Sequence, residues 1–271
     1  MSVITLLTDF GTDDEYAGVM KGAILSVNPK AFPVDITHQI DPQDLIQAAY
    51  TINAFYRFFP PNTVHVTVVD PGVGTRRGIV ALKTEKFCFL APDNGVLTLL
   101  LEESRAEEAV WVQNSDYFLN NISRTFHGRD IFAPVAGYLS KGLALNRLGP
   151  KAEISQLKRL DLPGIEILEN KSIEGRIISV DRFGNLVTNI GAETIDSLCA
   201  GNPEIIPAVE IGGIVVEGIS DSYSDVPTRK PLMIIGSRNL LEISVKQGEA
   251  GRLSGKKKGD KIRIILKNQG N

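Results

Sequence analysis

Cysteine is scarce. The 271 residues hold two, Cys88 and Cys199, far apart and each in an apolar stretch. That excludes a disulfide framework and a cysteine metal centre, which need closely spaced sets. Histidine is scarce as well, with three, and no pair stands at a metal-ligand spacing. No bound metal or other cofactor is expected. Positive charge is not in excess: 29 Lys and Arg face 32 Asp and Glu, a net charge of −3. This argues against nucleic acid as a partner, since non-specific binding wants a basic face. The one basic cluster, "KKKGDK" (256–261), reads as a solvated turn between apolar stretches. Long apolar runs are missing, so no membrane span is expected. An acid at position 9 interrupts the N-terminal apolar stretch too early for a signal peptide. A cytoplasmic setting is the expectation. What is present is ordinary for a soluble globular chain: 43% hydrophobic and 23% charged residues. The length suits two domains.

The two halves are patterned differently. In the first, "VITLL" (3–7), "FPVDIT" (32–37), "VHVTVV" (64–69), "IVAL" (79–82) and "FCFL" (87–90) read as buried strands. Between them lie helical patterns. Thr12 and Glu15 suggest a capping box, with a helix from about Asp13 carrying Ala17, Met20, Ile24 and Val27 inward. Asp41 and Pro42 suggest a cap and first turn for a helix with Leu45, Ala49, Ile52, Tyr56 and Phe59 on one face. This order implies an α/β domain over 1–150 with a mostly parallel central sheet. From about residue 173 the helical pattern thins out. Short strands such as "GRIISV" (175–180), "LVTNI" (186–190), "LLEISV" (240–245) and "KIRIIL" (261–266) follow one another with Gly, Asn or Asp between. They predict a smaller all-β, barrel-like domain over 173–271. Residues 151–172 read as the linker.

Three places in the first half invite chemistry. In "LLTDFGTDDEYAG" (6–18), Asp9 follows the first strand directly. Ligands of open α/β sheets gather at such strand ends. A carboxylate there can accept two hydrogen bonds from a vicinal diol such as ribose. Asp13 and Asp14 would sit near a helix start, where a favourable dipole alone explains them. "VTVVDPGVGTRRG" (66–78) is the second place. It misses the dinucleotide fingerprint, because Arg77 stands where the third glycine belongs and a strand follows. Its glycines instead let Arg77 reach back to Asp70, and a carboxylate so paired stays ionised and fixed. A loop-stapling ion pair is the plain alternative. The third is "TFHGRDIFAP" (125–134), where His127 precedes an apolar helical stretch. A lone His is more often structural than catalytic.

Six motifs now stand in order: "TDFGT", "VVDPGVGT-x-R", "APDNGVLT" (91–98), "TFHGRDIFAP", "DRFGNLVTNI" (181–190) and "GSRN" (236–239). Together they resemble the S-adenosyl-L-methionine (SAM) hydroxide adenosyltransferases, or SAM hydrolases, relatives of the fluorinating and chlorinating enzymes. The resemblance implies water or hydroxide attack at the ribose C5′ of SAM, giving adenosine and L-methionine. It implies that Asp70, Arg77 and His127 hold and polarise that water, without a metal. It makes Asp9 the ribose-diol carboxylate and sets Asp14 and Asp181 near the methionine ammonium. Phe183 and Tyr223 would flank the adenine, with Asn185 on its edge. Ser237 and Arg238 would hold the methionine end, and the backbone near Val245 and Gln247 would meet the adenine edge. It further implies a homotrimer with SAM between the first domain of one subunit and the second domain of its neighbour. The halogenating relatives carry Tyr where Asp70 stands, and an extra loop where Phe89 to Asn94 is short. Both differences favour hydroxide over halide. They also place an aromatic residue near the ribose where Gln43 stands here. Two other functions fit parts of the pattern. A metal-dependent nucleotide phosphatase would use Asp9, Asp13 and Asp14 on Mg²⁺. A non-catalytic SAM or adenosine binder would keep Asp9 and Asn185 without needing Asp70, Arg77 and His127 together.

Overall fold

The computed structural model describes residues 2–103, 106–169, 172–199 and 205–268. The chain divides into two compact units, Met1–Asp161 and Leu162–Asn271. Residues 151–161, which the sequence pattern assigns to the linker, belong to the first unit. The Ala152 N–H donates to Ala109 O, and Leu157 is buried.

The first unit contains β1 (Ser2–Thr8), α1 (Tyr16–Val27), β2 (Ala31–Thr37), α2 (Leu45–Phe55), β3 (Val64–Val68), β4 (Ile79–Lys83), β5 (Cys88–Pro92), α3 (Thr98–Glu102), β6 (Glu108–Trp111) and α4 (Ala133–Ser140). Its six-stranded sheet has the order β2-β1-β3-β5-β4-β6. The sheet is mixed and not wholly parallel. β1, β2, β3 and β5 pair in parallel, whereas β4 runs against both β5 and β6. The reason is local: Thr84–Phe87 closes a turn, with the Thr84 N–H donating to Phe87 O. A parallel crossover needs a dozen or more residues. Both faces of the sheet are covered. Ile4 and Leu6 of β1 pack with Met20 and Ile24 of α1 and Val135, Ala136 and Leu139 of α4. Leu7 packs on the other face with Ala48 and Ile52 of α2 and Leu100 of α3. That is why the strands read as continuous apolar runs rather than alternating ones.

Two expected helix starts are displaced. α1 begins at Tyr16 and not near Asp13, and Glu15 at its N-cap makes no side-chain capping bond. The cause is the path after β1. Gly11, at φ +72°, donates its N–H to His38 O, so the chain first crosses to the end of β2. α2 is capped by Asp44, which accepts from the Gln47 N–H, and not by Asp41. Gln43 lies at φ +66°, a conformation no helical residue adopts.

The second unit contains β7 (Glu166–Ile167), β8 (Ile173–Val180), β9 (Leu186–Gly191), α5 (Ala192–Cys199), β10 (Ile205–Ile211), β11 (Ile214–Glu217), β12 (Ile219–Ser220), β13 (Pro231–Ile235), β14 (Leu240–Val245), α6 (Ala250–Ser254) and β15 (Lys261–Asn268). The strands join in the order β11-β10-β15-β8-β9-β14-β13-β12, with β7 on β8. β11 also lies against β13, so the sheet curls into a nearly closed barrel. Ile173, Ile177, Leu186, Met233, Leu241, Ile243 and Ile264 fill it. "KKKGDK" forms the turn before β15, where the Lys257 N–H donates to the Asp260 carboxylate. No helix among the described residues is long and apolar enough to cross a membrane.

Candidate active site

In the first unit β1 lies between β2 and β3. The chain leaves β1 for β2 on one side and crosses back to β3 on the other. This switch sets the carboxyl ends of β1 and β3 side by side, the usual ligand position in such sheets. The register pairs Thr8 with Val68. Asp9 therefore leaves β1 close to where Asp70 follows β3.

Asp70 meets Arg77 across the glycine turn. Arg77 Nε and Nη2 donate to Asp70 Oδ2 at 2.8 and 2.5 Å. The Arg77 side chain is 7% exposed and that of Asp70 4%. Among the described residues Asp70 Oδ1 accepts only a longer bond, 3.2 Å, from the Gly72 N–H. Arg77 Nη2 also lies 2.9 Å from His127 Nδ1. A guanidinium only donates, so Nδ1 is the acceptor and the neutral ring carries its proton on Nε2. Burial, and next the Arg77 charge, push His127 below its ordinary 6.5, while Asp70 and Asp130 pull it up. The sequence-predicted trio is thus one hydrogen-bonded chain, with Arg77 in the middle.

The loops bearing the trio are held tightly. Gly74, at φ +76°, lies so near the His127 loop that a Cβ there would stand 2.2 Å from Arg124 O. Only glycine fits both the conformation and the approach. His127 immediately precedes a π-helical turn, Gly128–Phe132, which runs into α4. Such turns are frequent at functional sites. Asp130, fully buried, accepts the Ser123 N–H at 2.7 Å and Arg129 Nε at 2.6 Å. Phe10, Tyr16 and Phe126 pack edge to face, with centroids 5.0–5.8 Å apart. They join the Asp9 loop to the His127 loop. Asp9 Oδ2 accepts the Gln43 N–H at 2.8 Å, which the left-handed backbone of Gln43 aims at it. Asp14 is exposed on the bend before α1. Among the described residues, no three His, Cys, Asp or Glu are grouped to hold a metal ion.

The second unit gathers the other predicted residues. A cavity of about 1500 Å³ is lined by Asp181, Phe183, Asn185, Tyr223, Ser237, Val245 and Gln247, among others. That is ample for a nucleoside-sized ligand. Arg238 is outside the lining but shares the turn Gly236–Asn239 with Ser237, closed by the Asn239 N–H on Gly236 O. Asp181 Oδ1 accepts the N–H groups of Phe183 and Asn185, and Oδ2 accepts Asn185 Nδ2. The carboxylate therefore shapes the turn between β8 and β9 and fixes the Asn185 amide through its Nδ2. Phe183 is 75% exposed, a large aromatic face at the cavity.

Sequence reasoning missed several contributors. Glu242 lines the cavity, is 7% exposed and accepts the Tyr223 hydroxyl at 3.0 Å. Burial pushes its carboxyl up; Tyr223 and Arg238 oppose this, and the Asp181 charge adds to it. Its signal was a lone acid inside the apolar run "LLEISV". Asp130 was legible only as part of "HGRD". Phe10, Tyr16 and Phe126 are far apart in the chain, and nothing in their local pattern pairs them.

The whole chain can now be set beside known proteins. Residues 4–149 match the SAM hydroxide adenosyltransferase N-terminal domain, and residues 175–263 the C-terminal domain. A Thermus thermophilus protein named (R)-S-adenosyl-L-methionine hydrolase is 34% identical over 98% of this chain and all of its own length. A Salinispora tropica protein of the same name is 32% identical over 96% of this chain and 97% of its own. A fluorinase from an Actinoplanes species is 30% identical over 69% of this chain and 71% of its own. A crystal structure of an uncharacterized conserved protein from Thermotoga maritima superposes with a TM-score of 0.89, at 37% identity over 97% of this chain and 99% of its own. With both domains matched in order and relatives aligned end to end, the chain belongs to the SAM hydroxide adenosyltransferase family.

Proposed function

We propose that this protein hydrolyses SAM to adenosine and L-methionine, with water attacking the ribose C5′. The observation that carries the reading is the chain Asp70–Arg77–His127 at the strand end beside Asp9. Relatives aligned over nearly the whole chain bear the name of this activity. The metal-dependent phosphatase and the non-catalytic binder find no support among these relatives.

The chemistry asks little of an acid catalyst. A sulfonium leaves as a neutral thioether. What the site must supply is an oriented, desolvated water in line with the C5′–S bond. In this reading Asp70 orients the water and takes its proton through Oδ1, since Oδ2 is occupied by two Arg77 bonds. Arg77 fixes the carboxylate. His127, neutral and already accepting from Arg77 at Nδ1, holds the guanidinium in place rather than serving as the base. Asp9 receives the ribose diol, its second oxygen steadied by Gln43. Phe183 and Tyr223 flank the adenine, and Asn185 meets its edge. Val245 and Gln247 offer backbone groups there. Ser237 and Arg238 take the methionine carboxylate, with Asp181 and Asp14 toward the ammonium. No step needs a metal ion, and the cytoplasm is the proposed setting. Incubation of the purified protein with SAM tests this reading. Adenosine and methionine should appear in equal amounts, with the rate unchanged by EDTA. Absence of product would refute the activity, and inhibition by EDTA would refute the metal-free mechanism.

The site is assembled between subunits of a homotrimer in this proposal. The first unit carries the nucleophile trio, and the second the adenine and methionine groups. Asp70→Ala and Asn185→Ala chains, each inactive alone, should then recover part of the activity when mixed and allowed to exchange. Interfaces joining an intact first unit to an intact second unit rebuild the site. Hetero-oligomers as inactive as their parents would mean that the site lies within one chain.

A further inference from the structure

The motif "APDNG" (91–95) is not accounted for by the chemistry above. Among the described residues its side chains hydrogen-bond to no predicted ligand group, yet Asn94 reaches the loop that bears Asp70. β5 pairs with β3 in parallel, with Leu90 opposite Val66. The residues just past β5 therefore run beside those just past β3. Asn94 Nδ2 donates to Val69 O at 2.8 Å. Val69 is fully buried and immediately precedes Asp70. The other end of the same loop is held too. The Asp93 N–H donates to Gly78 O at 2.9 Å, one residue beyond Arg77. Asn94 is itself fixed from behind. Its Oδ1 accepts the Val96 N–H at 3.2 Å, and its N–H donates to Pro92 O at 2.9 Å. Asp93, 8% exposed, anchors the motif by accepting the Lys158 N–H on Oδ1.

We propose that Asn94 is a positioning residue: it clamps the carbonyl of Val69 and so sets where the Asp70 carboxylate stands. The proposal rests on the reading of Asp70 as the residue that orients the attacking water. A strand end is otherwise the point where the ladder stops supplying partners. Without the Asn94 amide the Val69 carbonyl is a buried acceptor lacking its side-chain donor. The loop can then satisfy it only by moving. A shift of about 1 Å in a catalytic group costs on the order of 10²-fold in rate. Asn is the residue type required, because the same short side chain must donate to one backbone group and accept from another.

Asn94→Asp and Asn94→Ala separate positioning from plain structural support. Asp keeps the bond from the Val96 N–H but turns a carboxylate oxygen toward Val69 O, where Asn had a donor. Ala loses both bonds without adding repulsion. Asp adds a repulsion that Ala lacks, so Asn94→Asp is expected to melt below Asn94→Ala. Activities are therefore compared well below both transitions, where each variant is folded. Support of the fold alone would leave kcat there near the wild-type value. A positioning role lowers it: Asn94→Asp should lose roughly 10- to 100-fold in kcat, more than Asn94→Ala, while KM for SAM stays within about twofold. Folded variants with near wild-type kcat, or with raised KM at unchanged kcat, would overturn the proposal. Wild-type turnover of SAM in the same assay reports on the functional reading separately. Crystal structures read the clamp without catalysis. In Asn94→Asp the Asp70 carboxylate should be displaced by about 1 Å, the shift the rate loss implies. A carboxylate still seated on Arg77 as in the wild type would refute the proposal whatever the assay gives.

Discussion

Replacing Asp70 by Ala is expected to lower kcat by roughly 10²- to 10⁴-fold, the range for removing a positioned proton acceptor, while SAM affinity changes by only a few-fold. The substitution has a second effect that must be separated from the first. The Arg77 side chain is 7% exposed and donates twice to Asp70 Oδ2. Taking away the carboxylate leaves a nearly buried cation without its main partner, which costs about 3–5 kcal/mol in comparable pairs. Asp70→Asn is the cleaner companion. It keeps the volume and one acceptor oxygen for Arg77, but no longer accepts a proton at useful pH. Both variants should lose turnover, and the Asn variant should unfold later than the Ala variant. Binding is measured by equilibrium titration with SAM, and turnover by product formation. A well-folded Asp70→Asn protein with near wild-type kcat would remove Asp70 from the mechanism.

A second large effect concerns stability in acid. His65 is the second residue of β3, the strand that leads to Asp70. It is 1% exposed and ringed by Phe55, Tyr56, Phe59, Phe87 and Phe89. Its one hydrogen bond among the described residues joins Nδ1 to Thr5 Oγ1 at 2.8 Å. Burial pushes its pKa from 6.5 down to about 3. The folded protein thus holds the ring neutral where the unfolded chain protonates it. Between pH 6.5 and 3 the unfolded state binds the extra proton, so stability falls as pH falls. The contribution is fully present above pH 6.5 and lost on descending to about 3. At about 1.4 kcal/mol per pH unit, this one group removes about 5 kcal/mol over that window. Carboxylates add their own acid effects, so the informative quantity is the difference from a variant. His65→Leu, at whatever absolute stability, should show a shallower decline in urea midpoint between pH 6.5 and 4. Parallel curves for the two proteins would show that the ring is not held neutral in the fold.

Much of the fold was legible because the chain advertises it locally. Buried strands ended at acids, and Asp9 and Asp70 stood at the two strand ends that flank the switch in the sheet. Helix starts were read less well. The Thr12–Glu15 and Asp41–Pro42 signatures are sound local caps, but both stretches are bound elsewhere. Gly11 is drawn to His38 O, and Gln43 gives its N–H to Asp9. Local propensity yielded at the loops that follow β1 and β2, beside the candidate site, where such departures are expected. The opposed direction of β4 was recoverable from the short Thr84–Phe87 connection, which admits only a hairpin. The trio of Asp70, Arg77 and His127 was nameable from motifs, but not its order: only geometry puts Arg77 between the other two. Asn94 illustrates the remaining gap. Its motif stood out in the sequence, yet its partner is a backbone carbonyl 25 positions away, and backbone partners leave no trace in residue types.

The central claim is that water attacks C5′ of SAM. Turnover in water enriched in ¹⁸O tests it most directly, with mass spectrometry of both products. The account predicts one ¹⁸O atom in each adenosine, located in the 5′-hydroxyl, and unlabelled methionine. Methylthioadenosine with labelled homoserine, or adenosine free of label, would contradict it.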